Sequence, residues 1–376
     1  MSGLQARAPH AQVVLTGCAA NVAAHQLADL AGVSIEARAL DQILHQHAAT
    51  SVREVDRTFR QGDGTAFENT GELSQLRKRV GPQKAAALAA LQKIDRAHTT
   101  ELEQLYRRTT KGFVFYNETE PVEFITVSRS CPYSCSFCAI PKGRGAFSSV
   151  PVRDVLSKVD DALGRGVKHL TLVGDEVGNY GAGSGPRLPE LVEQIFARDP
   201  AVTLSVRYIE PKPFLRYYND IRRWCAEGRV RLLYLSVQSG SETILGAMNR
   251  NYALSTFLPA YDAVRSESDT IFYGNWMVGF PGESEGDFQA TVALVKRMRA
   301  HINVAIPFSS RPGTTAATLT SQVDERVVQD RVARLTSVIA DETVELFRPH
   351  LGFLPENERR DALTLIRAGE LVQYHE

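Results

Sequence analysis

Three cysteines stand close together in the stretch Ser128 to Gly145, SRSCPYSCSFCAIPKGRG: Cys131, Cys135 and Cys138, spaced C-x3-C-x2-C. Three thiolates that near in sequence can wrap one metal centre. A 4Fe–4S cluster held by cysteine normally takes four of them, so a triplet leaves one iron without a protein ligand. That iron can accept a small molecule through an amine and a carboxylate, and S-adenosyl-L-methionine offers both. An electron passed from the cluster into the sulfonium would break a C–S bond and release a carbon radical. In chemistry of this kind the cofactor does the reacting, and the protein orients the reactants and excludes water.

Two other readings compete. Structural zinc wants four ligands, usually as two separated pairs, whereas this stretch has one triplet, no second C-x2-C pair and no histidine within ten residues. Three unrelated core thiols would rarely fall at this spacing. Phe137, just before the third cysteine, suits a side chain packed over a bound adenine, and equally suits plain core.

The elements that would position the triplet follow from the pattern downstream. Strand candidates run over residues 122–127, 167–173, 203–209, 230–237, 271–278 and 303–308. Between them lie helical patterns. Val152, Val155, Leu156, Val159 and Leu163 repeat as one apolar helix face, behind a Pro151 suited to a first turn. Phe288, Val292, Val295 and Met298 make a later stripe. Strands alternating with helices imply a parallel sheet, and right-handed crossovers curl it. The expected fold class is α/β: a partial (β/α)6 TIM-like barrel behind a short α/β plus helical N-terminal domain.

Chemistry in such a barrel gathers at the C-terminal strand ends. The triplet follows the first strand directly. The other strands end in polar or glycine-rich segments: Gly174-Asp175-Glu176, Glu210-Pro211 after Arg207, Gln238-Ser239-Gly240-Ser241, Gly279 to Glu283, and Ser309 to Thr314. Asp175 or Glu176 could take an ammonium, and Arg207 could pair with a carboxylate. Gln238 and Ser239 join them as candidate cofactor-binding residues. Each alone also reads as a cap or turn. Cys225, in RRWCAEG, falls on the opposite rim and reads as a core thiol.

Upstream, AQVVLTGCAANVA begins as strand, tight turn and helix, with Cys18 in the turn. A metal ligand or redox thiol fits there, as does a small buried hydrophobe. His45 and His47 stand two apart and point to different helix faces, so a shared metal is not expected. Residues 58–71 read as a loop, and two helical pieces follow over 72–108, broken at Gly81-Pro82. The expected domains are 1–115, 120–345 and a tail at 346–376.

The 376 residues carry 43 basic and 43 acidic side chains. That balance advertises no nucleic-acid surface, which usually shows as a basic excess, though a local basic groove is compatible with it. No apolar run reaches the roughly 18 residues of a membrane span, so no membrane partner is expected. Five cysteines, three of them clustered, argue against a disulfide framework and for a reducing cytoplasm.

CPYSCSFCAIPKGRG, GVKHLTLVGDEVGNYG, SVQSGSETILGAMNRNY, VGFPGESEGDF and SSRPGTTAA occur in the order seen in the radical S-adenosylmethionine superfamily. Within it the chain resembles the methylthiotransferases, and VVLTGCAAN resembles the strand–GC turn of that family's N-terminal domain. The resemblance implies that Cys131, Cys135 and Cys138 hold the radical-generating 4Fe–4S cluster and that Cys18 is one ligand of an auxiliary, sulfur-donating cluster. It implies sulfur insertion at an unactivated carbon, fed by a reductant such as flavodoxin or ferredoxin. Two of the family's auxiliary cysteines would lie upstream of Met1. Tyr234 and Ser236 stand where the family usually has His and Pro, and the 30 or so residues after Phe347 suit a loop and one helix rather than the family's RNA-binding barrel. A small nucleoside-like or natural-product substrate is therefore expected. The alternatives are a tRNA adenosine substrate, a radical epimerase or dehydratase without sulfur insertion, and a non-catalytic metal-binding module.

Overall fold

The computed structural model describes residues 122–183, 185–351 and 355–367. The strand at Val13–Leu15, the turn with Cys18, the pair His45 and His47 and the helices expected over 72–108 lie outside the described residues.

The described residues open on β1 (Val122–Thr126) and a short β2 (Ser128–Arg129). The cysteine loop follows, with a one-turn helix α1 (Ile140–Arg144), and closes on β3 (Ser148–Ser149), which pairs antiparallel with β2. Then come α2 (Val152–Gly164), β4 (His169–Val173), α3 (Leu188–Phe196), β5 (Thr203–Ile209), α4 (Pro211–Arg216) and α5 (Tyr218–Ala226). The second half holds β6 (Val230–Gln238), α6 (Glu242–Ala247), α7 (Leu254–Glu267), β7 (Ile271–Val278), α8 (Glu285–Met298), β8 (Ile302–Pro307), α9 (Glu325–Phe347) and α10 (Glu356–Arg367).

Six strands form one sheet in the order β1-β4-β5-β6-β7-β8, every pair parallel. Sequential order with helical crossovers is the topology of a barrel wall, and β1 and β8 are the two edges of this sheet. The expected partial (β/α)6 barrel is the fold. β5 and β7 fall on the expected residues, and β8 starts one residue early.

Each wall helix forms because its apolar residues share a face. In α2 the buried residues are Val155, Leu156, Val159 and Ala162, while Val152 is half-buried. α8 begins with a reciprocal cap: Ser284 Oγ accepts from Asp287 N at 3.2 Å, and Asp287 Oδ2 accepts from Ser284 N at 2.9 Å. These helices cover the outer face of the sheet, where Leu170, Leu172, Leu204, Val206, Leu233 and Leu235 join the main core. Cys225 is 1% exposed in that layer and its thiol is pushed up to about 12 by burial.

Alternate strand residues face inward. Leu232, Tyr234, Ile271, Tyr273 and Ile302 pack there as a separate cluster with Tyr208 and Val304. The Tyr234 and Tyr273 rings stack at 3.8 Å, Tyr208 meets Tyr234 edge-on at 4.1 Å, and Tyr234 Oη donates to Asn275 Oδ1 at 2.7 Å. Nearby, the His169 ring nitrogens lie 2.7 Å from Thr203 Oγ1 and 2.8 Å from Ser205 Oγ.

α9 is locked to the rim by a buried ion pair. Arg331 Nη1 lies 2.8 Å from Glu283 Oε2 and donates to Glu283 O at 2.9 Å, and Glu283 Oε2 also accepts from Gly279 N at 2.7 Å. Both side chains are at most 5% exposed. Removing one partner strands the other charge, which costs about 3–5 kcal/mol. Arg331→Ala is expected to lose about that much stability in urea unfolding, and Arg334→Ala, whose ion pairs are solvent-exposed, less than about 1 kcal/mol.

Candidate active site

The cysteine loop sits at the C-terminal end of β1, and neighbouring loops satisfy its backbone. Ser130 N donates to Asp175 Oδ2 at 2.8 Å, and Ser130 Oγ donates to Gly145 O at 2.6 Å. Ser136 N donates to Met248 O at 3.0 Å, Ser136 Oγ donates to Ala247 O at 2.8 Å, and Ser136 O accepts from Ala316 N at 2.8 Å. Asn249 Nδ2 reaches Ser134 O at 2.9 Å, and Lys142 Nζ donates to Gly313 O. The loop is thus held between the end of α6 and the segment after β8.

Within it Cys138 N donates to Cys135 O at 3.0 Å. All three cysteines are half-buried free thiols. Burial pushes the Cys135 thiol up to about 11 and raises Cys131 and Cys138 as well. A thiol held protonated by burial becomes a thiolate when a metal takes its proton's place. Among the described residues no three donors converge on a point where a single ion would sit. A four-iron cluster is ligated at separate corners, and three thiols on one loop fit it.

The other expected site residues divide. Asp175 holds the Ser130 N–H and lies 3.1 Å from Arg144 Nε. Glu176 is 1% exposed and accepts from Gly178 N at 2.8 Å and Glu210 N at 3.2 Å, while burial raises its carboxyl well above the usual range. Both carboxylates therefore fix rim loops. Ser239 Oγ accepts from Ser241 N at 3.1 Å. The next residue, Gly240, packs so close to α8 that a Cβ would stand 2.3 Å from Ala290 O. Gln238 differs: it is 8% exposed, has φ 77°, and its Oε1 is buried with no hydrogen-bond partner. A buried acceptor of this kind suits the ammonium or ribose of a ligand. Phe137 packs with Met277, Phe280 and Ala316 at the base of the loop. Arg207 is half-buried on β5, two residues beyond Ser205 on the inward register, and pairs across the sheet with Val173.

Arg250 escaped sequence reasoning as a member of the site. Arg250 Nη1 lies 2.9 Å from Glu210 Oε1 and 3.8 Å from Cys135 Sγ. The contact joins residues 115 apart in the chain, and the only local signal is an arginine in MNRNY after a short helix.

Residues 125–295 match the family model described as Radical SAM superfamily. That superfamily binds a 4Fe–4S cluster and S-adenosylmethionine, and the donor set on the loop is in keeping with it. The sequence is methylthiotransferase-like. The chain is 34% identical over 233 residues to a tRNA-2-methylthio-N(6)-dimethylallyladenosine synthase of Sphingopyxis alaskensis, covering 59% of this chain and 51% of that one. It is 32% identical over 269 residues to the protein of the same name in Ruegeria pomeroyi, covering 69% and 61%. The chain spans about half the length of most of the curated relatives it matches. A solved structure of the radical S-adenosylmethionine methyltransferase TsrM from Kitasatospora setae aligns with a TM-score of 0.45 at 17% identity, over 57% of this chain and 40% of that one. No described helix is long and apolar enough to cross a membrane.

After anaerobic reconstitution, Cys131→Ala, Cys135→Ala and Cys138→Ala are each expected to lose the iron–sulfide absorbance, while Cys225→Ala keeps it. Iron and sulfide analysis checks both.

Proposed function

We propose that this domain cleaves S-adenosylmethionine reductively and inserts sulfur at an unactivated carbon of an adenosine-type substrate. The observation that carries the reading is the position of the Cys131–Cys135–Cys138 loop at the C-terminal rim of a parallel sheet, in a sequence about one-third identical to tRNA-2-methylthio-N(6)-dimethylallyladenosine synthases.

Once bound, the cluster and S-adenosylmethionine supply the carbon radical that takes a hydrogen atom from the substrate. The chain's own residues prepare that event. Cys131, Cys135 and Cys138 would hold the cluster and leave one iron for the sulfonium compound. Gln238 Oε1, buried without a partner, would accept from that compound's donor groups. Phe137 and its apolar neighbours keep water from the base of the loop, and Asp175 and Glu176 keep the rim loops rigid. Arg207, half-buried on β5, would meet a carboxylate. Cys18, outside the described residues, would belong to an auxiliary cluster that donates the sulfur. A one-electron donor of the flavodoxin or ferredoxin class would reduce the domain.

The relatives carry the name tRNA-2-methylthio-N(6)-dimethylallyladenosine synthase, which supports a tRNA adenosine as the substrate, the reading favoured here. The even balance of 43 basic and 43 acidic side chains supports a second reading, a small nucleoside-like or natural-product substrate.

With S-adenosylmethionine and dithionite, the reconstituted chain is expected to release 5′-deoxyadenosine. Supplied with tRNA bearing N6-dimethylallyladenosine, it should yield a nucleoside heavier by about 46 mass units, the increment of a methylthio group on chemistry borne by the cofactor. The same gain on the free nucleoside but not on tRNA selects the second reading, and an absence of 5′-deoxyadenosine rejects both. Gln238→Ala is expected to weaken S-adenosylmethionine binding about tenfold by calorimetry, as loss of one hydrogen bond to a charged group would.

A further inference from the structure

The buried charge beside the cysteine loop is more than packing requires. Arg250 is 4% exposed and Glu210 is 8% exposed. Burying such a pair is costly, and an apolar pair of similar volume would serve packing as well. The arrangement is also polar in a particular direction. Arg250 Nη1 bridges Glu210 Oε1 at 2.9 Å and Cys135 Sγ at 3.8 Å, and Nη2 donates to Ser236 O. Glu210 Oε1 lies 3.8 Å from the same sulfur. Glu210's backbone N–H is fixed in turn by Glu176 Oε2 at 3.2 Å. The Cys135 thiol thus sits between a guanidinium that donates to it and a carboxylate that accepts from it, in a part-buried setting where their fields are poorly screened. The exposed Arg311 near Cys138 lacks that shelter.

Reduction potentials of iron–sulfur clusters follow net charge, hydrogen bonds to the sulfurs and exposure. We propose that Arg250 is a positioning residue which donates an N–H to the Cys135 sulfur and raises the reduction potential of the cluster held there, while Glu210 opposes it and sets how far. The inference rests on the cluster assignment of the preceding subsection, and not on sulfur insertion. Its one redox event is the entry of one electron from a one-electron donor of the flavodoxin or ferredoxin class. No bond forms or breaks in that step, and the added negative charge is met by the guanidinium.

The test is an EPR-monitored redox titration of the anaerobically reconstituted full chain, with iron and sulfide counted in every sample. Arg250→Gln removes the cation. At the wild-type midpoint its reduced-to-oxidised ratio is expected to fall at least tenfold, a shift of about 59 mV for a one-electron couple. Glu210→Gln removes the opposing anion and is expected to shift the midpoint the other way. Arg250→Lys, which keeps a charge but not the fork, should fall between wild type and Arg250→Gln. A purely structural ion pair would lower stability in both single variants and shift neither midpoint in opposite directions. If Arg250→Gln fails to hold iron, Glu210→Gln and Arg250→Lys decide the matter by the same signs. Full iron content with an unmoved midpoint in the variants overturns the proposal. A wild-type chain that takes up no iron overturns the cluster assignment itself, and this inference with it.

Discussion

A loop that carries three metal ligands has little room for regular structure, and its buried backbone groups still require partners. In this chain they are found outside the loop. Ser136 alone is tied to Ala247, Met248 and Ala316. The end of α6 and the segment after β8 are therefore parts of the cysteine loop's support, although they lie more than a hundred residues downstream. The same demand explains the polar strand ends. Asp175 and Glu176 accept main-chain N–H groups from Ser130, Gly178 and Glu210, and the rim becomes a web of side chain-to-backbone bonds.

Charge is then distributed over that web with little redundancy. Two buried carboxylates, Glu176 and Glu210, stand behind the loop, and one buried guanidinium faces them. A second buried pair, Arg331 with Glu283, closes the GFPGE turn against α9. Both pairs join a strand-end turn to an element distant in sequence. Gly240 has a related task, since its lack of a side chain lets the turn after β6 press against α8.

Much of the barrel was legible because its strands are runs of β-branched and aromatic residues bounded by turn signals. Thr203–Ile209 and Ile271–Val278 coincide with the expected spans. The cysteine triplet was legible because its spacing is local. The rest of the site was not, for two physical reasons. Polar residues at strand ends can serve a ligand and their own backbone with the same atoms, and the backbone bonds of Asp175, Glu176 and Ser239 are not distinguishable from ligand groups in the sequence. Gln238 differs from Ser239 only in the partner its side chain lacks, which no pattern in one sequence discloses. Arg250 comes to Cys135 through the whole fold, and neither helical nor strand periodicity carries that contact.

The tyrosine stack inside the sheet has a geometric corollary. Tyr234 lies four residues below Gln238 on β6, and a strand climbs about 3.3 Å per residue, so the rings stand about 13 Å beneath the cysteine rim. Both rings are fully buried, so at that depth the inner face of the sheet is closed by side chains.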